Sequence, residues 1–191
     1  MPIKATDLKP GKALMYEGNL QIVLSTEHVK PGKGPAYVQA KMKNIDTGTI
    51  KINRINSSDK LEDVNIDKRT MQFLYDSSGK GTGPFVFMDN ETYDQLEIDG
   101  DIIPKQQSQW LKENIDVTVV MFDGRTLSID LPASVELKIT ETAPQPKGAT
   151  ATNQLKEATV ETGARVRVPP FIGEGQMVKI NTETGEYQGK A

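Results

Sequence analysis

Cysteine is absent from the 191 residues, which rules out a disulfide framework, a zinc ribbon and a thiol nucleophile. Histidine occurs once, at His28, with no second imidazole to join it in a metal pair or a relay. No nucleotide, zinc or serine-nucleophile motif is present, so a non-enzymatic function without a metal or a dissociable cofactor is expected. No stretch approaches the ~18 apolar residues of a membrane span. The opening residues, Met1 to Gly11, have neither the basic flank nor the apolar run of an export signal. A soluble, cytoplasmic protein is the expectation. Long apolar repeats of helical period are also scarce, which leaves strands as the main building element.

The formal net charge is only -3, but it is unevenly spread. Residues 1–65 carry 10 Lys/Arg against 7 Asp/Glu, residues 66–130 carry 6 against 12, and residues 131–191 carry 7 of each. A basic beginning beside an acidic middle directs any polyanion to the N-terminal part.

Short alternating or β-branched runs recur between turn residues. In the first part, Ala13 to Tyr16 and Leu20 to Leu24 flank Glu17-Gly18-Asn19, and Ala36 to Lys43 and Thr49 to Ile55 are joined through Asp46-Thr47-Gly48. Alternation places Val38, Ala40 and Met42 on one face and Tyr37, Gln39, Lys41 and Lys43 on the other, exposed one. Further strands are expected over Met71 to Tyr75, Phe85 to Met88, Val117 to Phe122, Thr126 to Leu131, Val135 to Ile139, Arg165 to Val168 and Met177 to Asn181. A brief helix capped by Asp89-Asn90-Glu91-Thr92 and another begun by Pro104, carrying Trp110 and Leu111, fall between them. The polar stretch from Ala143 to Asn153 reads as a loop. Three consecutive small β-barrels over residues 1–65, 66–130 and 131–191 are expected, because closure removes unpaired sheet edges.

One segment carries chemistry. His28-Val29-Lys30-Pro31-Gly32-Lys33-Gly34-Pro35-Ala36 lies between two expected strands, and no acid occurs from His28 to Ile45. Pro31 fixes φ, Gly32 and Gly34 permit positive φ, and Pro35 stiffens the return leg. Lys33 is thereby held outward between two small residues, with Lys30, Lys41 and Lys43 adding positive charge suited to phosphate oxygens. On local chemistry alone, an ordinary basic hairpin with solvated lysines is the plainer reading.

Lys30-Pro31-Gly32-Lys33-Gly34-Pro35-Ala36 resembles the modified-lysine loop of the elongation factor P family. The likeness continues in order through Leu61-Glu62-Asp63, Gln72-Phe73-Leu74-Tyr75, Phe87-Met88-Asp89 with Glu91-Thr92-Tyr93, and Val135-Glu136-Leu137. It runs on through Ala158 to Ala164 with Val166, Val168-Pro169 and Phe171, to the closing Val178 to Tyr187, and so covers essentially the whole chain. The resemblance implies an SH3-like (KOW-like) barrel followed by two OB-fold barrels, together shaped like a transfer RNA. It further implies a monomer that binds the ribosome between the P and E sites and relieves stalling at consecutive prolines. Its partners would be P-site peptidyl-tRNA, ribosomal RNA and a lysine-modifying enzyme. Lys33 would be the modified position, and Lys30 to Pro35 the loop contacting tRNA and rRNA, with Lys41, Lys43, Lys147, Gly148, Tyr187 and Lys190 as further RNA contacts. Three positions depart from the family pattern: Ala149 stands in Gly148-Ala149-Thr150 where an aspartate associated with E-site mRNA is common, Glu157 stands in Lys156-Glu157-Ala158-Thr159 where the family usually has proline, and Lys190 stands for an arginine. The alternatives are an elongation-factor-P-like paralogue, which lacks the Pro-Gly-Lys-Gly loop, and a generic single-stranded RNA binder built from OB folds.

Other segments have plainer readings. Gly79-Lys80-Gly81-Thr82-Gly83 lacks the spacing and the Lys-Ser/Thr ending of a phosphate loop and is expected to be a hairpin turn. Asp94, Glu97, Asp99 and Asp101 lack calcium-loop spacing and read as a solvated face. Trp110 is expected to plug a core, and Tyr187 is evenly balanced between core and RNA contact.

Overall fold

The β-branched runs become sixteen strands, with one α-helix and one 3-10 turn, in a computed structural model that describes residues 1–145 and 154–191. The described chain divides into two compact units, Met1–Asp67 and Lys68–Ala191. Among the described residues, no helix is long and apolar enough to cross a membrane.

The first unit is a six-stranded antiparallel sheet. It contains β1 (Pro2–Lys4), β2 (Ala13–Tyr16), β3 (Asn19–Val29), β4 (Tyr37–Asn44), β5 (Ile50–Asn56) and β6 (Lys60–Val64), in the order β1-β6-β2-β3-β4-β5. Glu17 and Gly18 join β2 to β3 with φ of 51° and 78°, the two positive angles that match a two-residue connection to strand twist. A register shift between Val23 and Ser25 bends β3 and turns Leu24 outward. Val38, Ala40 and Met42 are fully buried with Leu14 and Val23, so the alternation in β4 faces as its pattern predicts. Strands β1 and β6 are too short to register as alternation, and pairing with each other and with β2 specifies them. Lys12 Nζ donates to Asp63 Oδ2 at 2.9 Å and ties the approach to β2 onto β6.

The second unit holds two five-stranded sheets. The first comprises β7 (Asp67–Asp76), β8 (Phe85–Asp89), β9 (Gln95–Ile98), β10 (Asp116–Phe122) and β11 (Arg125–Asp130), ordered β11-β10-β7-β8-β9. Its core is built on Phe73, Phe87 and Phe85, with the Phe73 and Phe87 rings 5.4 Å apart and tilted. The helix expected from Asp89 is instead a tight turn. The Asp89 carboxylate accepts from the N–H groups of Glu91 (2.8 Å) and Thr92 (3.2 Å), but Tyr93, at φ 62°, takes the left-handed conformation that stops a helix and sends the chain back as β9. The second short helix forms as α1 (Lys105–Ser108), with Pro104 at its N-cap. Trp110 and Leu111 lie just beyond it.

The last sheet comprises β12 (Ser134–Thr142), β13 (Lys156–Val160), β14 (Arg165–Val168), β15 (Met177–Asn181) and β16 (Tyr187–Lys190), ordered β14-β13-β12-β15-β16. The outer strand β14 comes back against β16, so the sheet curls toward closure. Trp110 is 2 % exposed and belongs to this sheet's core with Leu137, Ile139, Val178 and Ile180. Ile115 and Leu131 pack against both cores of the unit. The core-plug reading of Trp110 therefore holds, with its contacts in the following sheet.

Candidate functional site

The Lys33 loop grows out of the β3–β4 hairpin, whose last pair is Val29↔Tyr37. Beyond that rung, Ser57 N–H donates to Ala36 O at 3.1 Å and fastens the return leg to the chain leaving β5. Lys30 and the run from Gly32 to Pro35 are exposed, while Pro31 and Ala36 are half-buried. Only Gly34 uses its freedom, at φ 104°. Gly32 does not, and a Cβ there would meet no atom within 4 Å. Its glycine identity is therefore not required by backbone conformation, and only Gly34 uses the positive φ that both glycines permit.

The Lys33 ammonium is neither buried nor paired. Among the described residues, ion pairs such as Lys12–Asp63, Arg69–Asp89 and Lys112–Glu161 form elsewhere, and Lys33, Lys30, Lys41 and Lys43 enter none. The absence of acid from His28 to Ile45 explains why no near neighbour in sequence can neutralise the loop. A hydrated point charge on a flexible stem is thus presented at the end of a stiffened hairpin.

The positive face continues down β4. Lys41 is exposed and Lys43 half-buried, on the side opposite the core. Antiparallel pairing brings Ile50, Ile52 and Arg54 of β5 opposite Lys43, Lys41 and Gln39. The Arg54 guanidinium carbon sits 3.8 Å from the centroid of the Tyr37 ring. Sequence reading places Tyr37 on the outer face but passes over Arg54. Counting rungs outward from the Asp46-Thr47-Gly48 turn puts Arg54 beside Tyr37, and that is the signal that locates it.

Of the remaining sequence candidates, Tyr187 is half-buried and packs against the core of the last sheet. Its neighbour Gly185, at φ 73°, lies so close to Trp110 that a Cβ would be 3.4 Å from the indole Cζ2. Lys190 Nζ is 5.3 Å from the centroid of the Phe171 ring, which is 55 % exposed. Lys147, Gly148 and Ala149 lie outside the described residues. A groove of about 620 Å³ opens among Trp110, Leu155, Arg165, Arg167 and Tyr187.

The glycine-rich β7–β8 turn resembles an anion cradle, but its own chain fills it. The Asp76 carboxylate accepts from Ser78 Oγ and from the N–H groups of Ser78, Gly81 and Gly83. Partial burial works to raise the Asp76 pKa, and these hydrogen bonds outweigh it, leaving the pKa below the ordinary value. The segment joins two paired strands, as a hairpin turn should.

Three family models match in chain order: an elongation factor P KOW-like domain over residues 4–61, an elongation factor P OB domain over 66–129, and the elongation factor P C-terminal domain over 135–190. A curated relative, elongation factor P of Acidothermus cellulolyticus, is 44% identical over 185 residues, covering 97% of this chain and 96% of its own. Two solved structures overlap partially. The eukaryotic translation initiation factor 5A from Methanococcus jannaschii has a TM-score of 0.46 at 25% identity, covering 69% of this chain and 94% of its own. A translation initiation factor 5A family protein from Naegleria fowleri has a TM-score of 0.41 at 17% identity, covering 69% and 98%.

Proposed function

This chain belongs to the elongation factor P family, and on that premise we propose that it binds between the ribosomal P and E sites and uses Lys33 to relieve stalling at proline-rich sequences. Membership makes it a translation elongation factor acting on the ribosome, with a KOW-like N-terminal domain and two OB-type domains. The observation that carries the finer reading is the exposed, unpaired Lys33 amine on a proline-bounded loop.

Proline is a stiff secondary amine and a poorly placed nucleophile, so a stalled centre lacks orientation rather than a chemical group. An arm whose backbone is restricted by Pro31 and Pro35 before binding loses less freedom on contact, and such a loop can therefore help hold the tRNA terminus in a reactive pose. The protein itself makes and breaks no bond in this scheme. The loop from Lys30 to Pro35 meets peptidyl-tRNA and rRNA, and Lys41 and Lys43 meet nearby phosphates. Covalent acylation or alkylation of Lys33 by a modifying enzyme would lengthen the arm and add polar groups. The factor works as a monomer in the cytoplasm.

Lys33→Ala is expected to leave the thermal midpoint unchanged and to abolish relief of stalling at a proline run in a reconstituted translation reaction. Full retained relief would overturn the proposal. Intact-mass analysis of protein from the native host tests the modification, with a mass excess mapping to Lys33 as the expected result.

A further inference from the structure

We propose that Arg54, held over the Tyr37 ring, is a phosphate-binding group at the root of the Lys33 loop, gripping the RNA backbone while Lys33 reaches past it. The inference rests on the ribosomal reading of the loop and adds a contact to it. Tyr37 is the first residue of β4 and pairs with Val29, the last residue of β3, so the ring marks the junction between sheet and loop. Across β5, Tyr37 faces Asn56 and the neighbouring outward rung places Arg54 opposite Gln39. At 3.8 Å from the ring centroid, the guanidinium lies in contact with the aromatic face.

Stacking decides what the arginine can do. With its central carbon over the ring, the guanidinium enters none of the ion pairs among the described residues, and its N–H fork can donate to two oxygens at once. The stack also removes much of the rotamer freedom that an exposed arginine would lose on binding. Arg54 is exposed, and none of the ion pairs among the described residues includes it. Glu27 lies on the same rung, with Gln39 between the two, and forms none of those pairs either. Successive outward rungs of β4 carry Lys41 and Lys43, so the face presents Arg54, Lys41 and Lys43 in a row leading away from the loop. A row of cations fits the repeating charge of a nucleic-acid backbone. Ile50 and Ile52, 50% and 68% exposed on the same face, are the features a protein partner would use instead.

The test measures binding of the labelled full-length protein to ribosomes carrying P-site peptidyl-tRNA across a salt series. Loss of one phosphate contact lowers the slope of log affinity against log salt by about 0.9 and weakens binding about 5-fold at 0.15 M salt. Arg54→Gln is expected to show both effects at an unchanged thermal midpoint. Tyr37→Leu should weaken binding in the same direction, whereas Tyr37→Phe, which keeps the stacking face, and Ile52→Ser should match the parent. An unchanged affinity and slope for Arg54→Gln overturns the assignment. So does a loss of affinity without a change in slope, or an equal loss in Ile52→Ser, since either marks a protein-docking face. Lys33→Ala assayed alongside separates the two ideas. If it loses stalling relief while Arg54→Gln behaves as the parent, only the Arg54 assignment fails. If Lys33→Ala keeps full relief, the ribosomal reading of the loop fails instead.

Discussion

Gly32 and Gly34 flank Lys33 symmetrically in sequence, yet replacing each by alanine should have opposite consequences. At Gly32 the backbone is not in the left-handed region and a Cβ meets nothing within 4 Å. Gly32→Ala removes freedom from the unfolded chain without strain and should be neutral or stabilising by about 0.4–1 kcal/mol. At Gly34 the space is equally open, but φ is 104°, so alanine carries a backbone penalty of roughly 1–2 kcal/mol or more. Beyond the Val29↔Tyr37 rung, the Ser57–Ala36 hydrogen bond is the one backbone hydrogen bond that holds the loop among the described residues. The loop can therefore relax to negative φ, which caps the loss of global stability and transfers the penalty to the position of Lys33. A penalty of 1–2 kcal/mol lowers the population of the native loop conformer about 5- to 30-fold. At sub-saturating factor, relief of a proline stall in reconstituted translation should fall by a similar amount for Gly34→Ala, with the thermal midpoint nearly unchanged and Gly32→Ala fully active. The reasoning fails if Gly34→Ala is as active as the parent, or if both alanine variants are impaired alike.

Trp110→Ala empties a site of 2 % exposure in the core of the last sheet and should cost about 3–5 kcal/mol, lowering the thermal midpoint by roughly 10 °C or more. A fall under about 3 °C would show that the indole is not packed in that core. The pKa of Asp76 is lowered in the folded protein, so its contribution to stability is fully present above the ordinary carboxylate value and is lost as pH falls through the folded value. Asp76→Asn should accordingly flatten the decline of thermal midpoint expected below about pH 5. An unchanged slope would mean that the Asp76 hydrogen bonds do not persist in solution.

Legibility in the sequence followed the physics of each element. Strands bounded by strong turn chemistry, such as β2 and β3 about Glu17-Gly18 or β10 and β11 about Asp123-Gly124, are readable because both turn residues hold positive φ, 51° and 78° in one and 49° and 75° in the other. The outward face of β4 is readable because a period of two survives over seven residues, Tyr37 to Lys43. Strands β1, β9 and β16, at three or four residues, are too short for a period to emerge, and their pairing partners define them. Asp89-Asn90-Glu91-Thr92 has the chemistry of a helix cap, and its carboxylate does receive the two N–H groups a cap would satisfy. The chain's course beyond Thr92 is decided by pairing of β8 with β9, which no local propensity reveals. At the candidate site, the loop and its charge are visible in seven consecutive residues, whereas Arg54 becomes visible only when the register across Asp46-Thr47-Gly48 is counted.

Separation of the loop from the core explains how one chain can hold an exposed functional arm without loss of fold. The core of the first unit is assembled from Leu14, Val23, Val38, Ala40, Met42 and Ile55, and no residue from Lys30 to Ala36 belongs to it. Changes in the loop therefore act on where the Lys33 amine sits and little on whether the barrel forms. The reverse coupling is stronger. Strands β3 and β4 carry the core on their inner faces and run without interruption into the two legs of the loop, so a one-residue slip in their register would invert every side chain of β4 and bury Lys41 and Lys43. The desolvation cost of those two ammonium groups forbids that slip. Charge on the outer face thus selects the single register that also aims the loop outward, and the residues proposed to meet RNA help to specify the fold that presents them.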